Sequence, residues 1–129
     1  MVKETIKFVD YNGVERSGEY YFNLNKAEVI EFEKSINGGI SEMIKQIVAT
    51  NDEPAIIEIF KKLILMSYGE KSNDGLYFLK KDEEGRPLSR KFEQTEAYPE
   101  LFMKLARDTD AAINFVNGII PKVATEENK

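Results

Sequence analysis

A chain of 129 residues with 42% apolar and 32% charged side chains has the size and make-up of one soluble globule with its own core. It contains neither cysteine nor histidine, which excludes disulfides, thiolate chemistry, Ser-His hydrolysis and the commonest metal ligands. Its net charge of −5, from 18 basic and 23 acidic residues, disfavours a phosphate-backbone binder.

The N-terminus, MVKETIKFVD, lacks the apolar run of a signal peptide, and no stretch reaches the length of a membrane span, so a cytoplasmic location is expected. The first segment alternates. Ile6, Phe8 and Tyr11 recur at intervals of two or three, Asn12-Gly13 marks a turn, and Val14 to Phe22 resumes extended character. Asn-Gly between two such runs predicts a β-hairpin. Tyr20-Tyr21-Phe22 puts aromatics on both faces of the second strand, most of them expected in the core.

A helix comes next, without delay. Asn25 is placed to cap it, Glu28 takes the reciprocal capping-box position, and Leu24 is set for a staple contact with Val29. Val29, Phe32 and Ile36 form its apolar stripe with Ile30 beside it. Glu33 falls at the stripe's edge, where its long stem reaches solvent. Asn37-Gly38-Gly39 ends the helix. These glycines follow a helix rather than a strand, and no phosphate-loop lysine comes after them. Ser41 caps a further helix through Ala49, with Met43, Ile44, Ile47 and Val48 on one face, and Thr50-Asn51 links it to the next.

Residues 52–68, DEPAIIEIFKKLILMSY, read as the central helix. Asp52 is an N-cap and Pro54 suits the first turn. At about 100° per residue, Ile56, Ile57, Ile59, Phe60, Leu63, Ile64 and Met66 spread over roughly half the circumference. Glu58, Lys61 and Lys62 take the other side, and Leu65 points into it as an outlier. So wide a face suits a core helix that also meets a partner.

After Tyr68 the composition turns polar and rich in turn residues. The stretch 69–91 reads as a mobile, irregular excursion, with Leu76-Tyr77-Phe78-Leu79 long enough only for a short strand. Structure resumes near Phe92. Thr95 or Tyr98 opens a helix with Pro99 in its first turn, carrying Leu101, Phe102, Met103, Leu105 and Ala106. The apolar pattern of 101–107 repeats at 111–117, ten residues on, which would turn the two faces about 80° apart on one straight helix. Two helices broken at Asp108, which caps the second, fit better. Gly118 is expected to end the second, with Ile119-Ile120-Pro121 as an apolar contact and stop, and 122–129 as a frayed tail. The fold class is therefore α+β. A β-hairpin packs on a small bundle of about five helices within one domain, 1–121.

No chemistry is legible. With 23 carboxylates any pair could meet in space, so spacing does not single out an acid-base couple. Capping suffices to explain Asp108 and Asp110. No serine sits in a Gly-x-Ser-x-Gly elbow, and no GxGxxG or calcium-loop pattern occurs. A non-enzymatic protein without cofactor or metal is expected, and its wide helix faces point to protein contacts. A rival reading, a nucleic-acid-associated regulator, would need a basic face from Lys61, Lys62, Lys80, Lys81, Arg90 and Lys91. Phosphate binding by Lys80, Lys81, Arg86, Arg90 and Lys91 is interrupted by Asp82, Glu83 and Glu84. A small acid-catalysing enzyme is the weakest alternative.

Three segments carry a family likeness: YNGVERSGEYYFNLNKAEVIEFEKS, DEPAIIEIFKKLILMSYGEKS and SRKFEQTEAYPELFMKLARDTDAAINFVNGIIP. Together they resemble the tail assembly chaperones of long non-contractile-tailed (siphovirus-type) phages of Gram-positive bacteria, over nearly all of residues 4–121. The resemblance implies an assembly protein that coats the tape measure protein, keeps its hydrophobic helices soluble, helps recruit the major tail protein, and yields to it as the tube polymerises. It further implies location in the host cytoplasm and absence from the finished virion. It also implies self-association and, in related systems, a longer frameshifted product. On that likeness the candidate protein contacts are Ile57, Phe60, Ile64, Leu65, Tyr77, Phe78, Leu101, Phe102, Phe115, Ile119 and Ile120. No membrane partner and no nucleic acid are expected.

Overall fold

The computed structural model describes residues 1–35, 38–40, 42, 43, 45 and 53–121, the side chains of 53–56 excepted. The expected caps Ser41 and Asp52, the helix positions Ile36, Ile44, Ile47 and Val48, and the 122–129 tail lie outside the described residues.

Strands β1 (Val2–Val9) and β2 (Glu15–Phe22) form the predicted hairpin, in register from Val2↔Phe22 to Val9↔Glu15. Asp10 organises its tip. One carboxylate oxygen accepts the amides of Asn12 at 2.8 Å and Val14 at 3.0 Å, and the other accepts Arg16 Nε at 2.7 Å. These bonds hold the carboxyl below its usual range, the Arg16 hydrogen bond contributing most. Gly13 sits at φ 79°, the left-handed conformation this short loop demands.

Helix α1 (Lys26–Ser35) begins with the predicted capping box. Asn25 Oδ1 accepts the Glu28 amide at 2.8 Å, and Glu28 Oε1 accepts the Asn25 amide at 2.9 Å. Asn25→Ala should cost about 1 kcal/mol, read as a lower urea midpoint at unchanged slope. Glu33 does more than reach solvent: Oε1 accepts the Ile40 amide at 3.0 Å, tying α1 to the following segment. Gly39, Ile40, Glu42, Met43 and Lys45 are helical, with Met43 fully buried.

Helix α2 (Glu53–Ser67) passes into strand β3 (Tyr68–Lys71) without a loop. Ser67 is buried at this junction. Its hydroxyl donates to Leu63 O at 2.5 Å while its own carbonyl accepts the Asn23 amide at 2.7 Å. Strand β3 pairs with β2 through Tyr21↔Gly69 and Phe22↔Tyr68, and β4 (Phe78–Leu79) pairs with β3. The sheet order is β1-β2-β3-β4.

The stretch 69–91 thus holds more regular pairing than its polarity predicts. Two tight turns shape it, each with a left-handed glycine, Gly75 and Gly85. In the second turn Asp82 repeats the Asp10 device, accepting the Glu84 and Arg86 amides, each at 2.9 Å, and Arg86 Nε at 3.1 Å. An isolated bridge, Lys81↔Pro87, closes it.

Helix α3 (Ser89–Glu93) starts earlier than Phe92, and Thr95 donates its hydroxyl to Phe92 O at 2.7 Å rather than capping the next helix. Helices α4 (Ala97–Arg107) and α5 (Thr109–Ile119) are separated at extended Asp108, whose carboxylate accepts the Ala111 amide at 3.1 Å. The predicted break and cap are both present. Gly118, by contrast, does not end α5; it lies inside it. A Cβ there would collide with Val2 Cγ2, so this glycine lets the helix press against β1.

The described elements form a hairpin-led sheet packed against a bundle of about five helices. An aromatic cluster joins the two layers. Phe92 stacks on Tyr68 with centroids 4.5 Å apart and lies 5.1 Å from Tyr20, 5.8 Å from Phe22 and 6.0 Å from Tyr98. Phe22 reaches on to Phe115 at 5.3 Å.

Candidate interaction surface

The eleven candidate positions divide by burial. Phe60, Ile64, Leu101, Phe115 and Ile119 are interior residues of the core and present no surface in this conformation. Helical spacing put them on apolar faces, and those faces are turned towards the sheet and towards each other. Leu65, Phe78, Phe102 and Ile120 are half-buried. Ile57, at 45% exposure, and Tyr77, at 63%, stand in solvent.

Two separate patches result. On α2, Ile57 borders the charged side of the helix and Leu65 lies within it, and a shallow groove of about 440 Å³ is lined by Glu58, Ile59, Lys61, Lys62 and Leu65. The outlier in the helical projection is therefore a groove wall. The second patch lies on the β3-β4 hairpin, where Leu76 at 75% exposure and Leu79 flank Tyr77. Within the two-residue strand, alternation turns Phe78 in and Leu79 out, while Leu76 and Tyr77 precede the strand in the turn. The Phe78 ring fills the space above Gly69, where a Cβ would meet it at 2.5 Å. Leu76 and Leu79 are surface residues that the sequence did not single out; a run of four apolar residues beside a strand of two was the available signal. Val9, Tyr11 and Val14 are likewise exposed at the first hairpin, with the Tyr11 hydroxyl donating to Gln94 O at 3.3 Å.

The electrostatics do not assemble a basic face from all the cations named above. Lys80 is half-buried, donating to Glu28 Oε2 at 3.0 Å and to Met66 O at 2.8 Å, so it pins the second hairpin to α1 and α2. Desolvation pulls its pKa down against the opposing pull of Glu28. Arg86 is paired with Asp82 and Glu84. Among the described residues no cluster of acidic side chains could hold a metal ion, and no buried side-chain polar atom lacks a partner. No described helix is long and apolar enough to cross a membrane.

The most displaced titration belongs to Tyr68. Burial raises its phenol to about 12, with the Glu70 carboxylate and Tyr20 adding smaller pushes. Between pH 10 and about 12 the unfolded chain sheds this proton while the folded chain keeps it, so stability falls as pH rises through that window. A displacement of that size corresponds to roughly 2–3 kcal/mol. Alkaline denaturation followed at the tyrosinate band should show this loss, and Tyr68→Phe should flatten it.

A family model described as phage tail assembly chaperone matches residues 1–129. No curated protein matches the chain, and no solved structure does. With that match spanning every residue, the chain belongs to the phage tail assembly chaperone family.

Proposed function

We propose that this protein binds the tape measure protein of a siphovirus-type phage or prophage of a Gram-positive host and keeps it soluble until the major tail protein polymerises around it. The full-length family match carries this reading. Exposed Ile57 and half-buried Leu65 of α2, with the Leu76-Tyr77 hairpin, support it as apolar surface suited to helical clients. The protein works by binding, without a cofactor or chemistry of its own. It acts in the host cytoplasm as an oligomer, alone or with a longer frameshifted form of itself, and is left out of the finished virion.

Co-expression tests this directly. A tape measure protein encoded beside it should remain in the soluble fraction only when this chain is made, and should be retained by it on an affinity column. A client equally soluble without it would refute the reading.

A further inference from the structure

Among the described residues, strand β1 is an edge strand, eight residues long and paired on one side only. The Asp10 amide donates to Val14 O at 2.9 Å, and antiparallel alternation then turns the backbone groups of Phe8, Ile6, Glu4 and Val2 towards β2. The amides and carbonyls of Lys3, Thr5, Lys7 and Val9 face outward, and among the described residues no backbone hydrogen bond reaches them. Helix α4 packs on the face of β1 that carries Glu4 and Ile6, with Lys104 paired to Glu4 at 2.9 Å, and a groove of about 200 Å³ lined by Thr5, Lys7, Glu100 and Lys104 opens beside them.

A bare edge of this length is a template for another strand, and its charges restrict which strand fits. We propose that the occupant is β1 of a second copy, paired antiparallel about a two-fold axis at Ile6 and joining two four-stranded sheets into one. Centring the axis on Glu4 sets two glutamates face to face, centring it on Thr5 opposes Lys3 and Lys7, and centring it on Lys7 opposes two lysines. Like charges directly opposite destabilise a sheet. Centred on Ile6, Lys3 meets Val9, Glu4 meets Phe8, Thr5 meets Lys7, and the two Ile6 residues meet at the axis. Seven residues of each strand pair in this register, with about eight new backbone hydrogen bonds. Of these four registers, the charges leave one open, and it pairs nearly the whole strand.

The helices agree with that axis. Lys104 pairs with Glu4 at 2.9 Å while Glu100 borders Lys7, so α4 runs antiparallel to β1. The same axis sets α4 antiparallel to its counterpart, with Glu100 across from Lys104 of the second copy and an opposite-charge pair on each side. This inference rests on the self-association within the function proposed above, and it specifies where two copies meet.

Sedimentation of the full chain and of Thr5→Pro tests it. The Thr5 amide points away from β2, so proline there removes an outward donor while leaving the hairpin ladder intact. The wild type should be dimeric or larger, and Thr5→Pro should raise the dissociation constant at least about tenfold with an unchanged helical circular-dichroism signal. A second measurement covers misfolding of that variant. The chain has no cysteine, so Thr5→Cys with Lys7→Cys should give a covalent dimer on mild oxidation, and neither single variant should match its rate. A wild type that stays monomeric overturns both self-association and this interface while leaving client retention to be judged by co-expression. An oligomer indifferent to Thr5→Pro, or single-cysteine variants that cross-link as fast as the pair, overturns the interface alone.

Discussion

Phe92→Ala should cost about 3–5 kcal/mol of folding stability. The ring is 2% exposed and touches residues from three different parts of the chain: Tyr20 and Phe22 on β2, Tyr68 at the start of β3, and Tyr98 on α4. Alanine would leave a void bordered by rigid aromatic rings, and planar side chains anchored in two layers do not readily close around it. The loss therefore belongs at the upper end of the range for core truncations. Urea denaturation measures it, and a shift below about 1 kcal/mol would mean that the site collapses and that Phe92 does not hold the layers together.

Aspartate scanning along α2 should split sharply between neighbours. Ile64 is 0% exposed, so Ile64→Asp buries a carboxylate without a partner and should unfold the protein or cost more than about 4 kcal/mol. Ile57, on the same helix and equally apolar, is 45% exposed. Ile57→Asp should change stability by no more than about 0.5 kcal/mol while lowering retention of the tape measure protein. Thermal melts and client pull-downs on the same two variants separate these effects. If Ile57→Asp melts as early as Ile64→Asp, the α2 surface belongs to the core and the client contacts lie elsewhere.

These two isoleucines also mark the limit of what sequence alone reveals. Local chemistry was legible. The Asn12-Gly13 turn, the Asn25/Glu28 capping box and the Asp108 break each depend on residues within a few positions of one another, and each stands as expected. Periodicity marked the apolar face of α2 but not where that face stops being covered, because covering depends on α4 and the sheet. Gly118 failed for the same reason. A glycine near a helix end resembles a stop, and only the proximity of Val2, more than a hundred positions away, shows that it is there for clearance. In 69–91, polarity suggests an irregular excursion, and Asp82 and the Ser72–Asp74 pair supply the acceptors that shape its tight turns. The candidate contacts that lie in the core carry the same apolar periodicity that buries them. The exposed Leu76 gives no such signal, because a short apolar run beside a two-residue strand has no periodicity to read.

The clearance at Gly118 has a consequence for synthesis. Together with the Leu24 amide donating to Ile119 O at 2.9 Å, it means that the hairpin is covered by a helix made about a hundred residues later. On the ribosome Ile6 and Phe22 emerge early, but their lid, α4 and α5, is complete only after Ile119 has been added. At ordinary bacterial elongation rates that leaves an apolar sheet uncovered for roughly 5–20 seconds on each nascent chain. A message truncated before α5 would therefore release an open-faced sheet, prone to aggregate, rather than a shorter working protein.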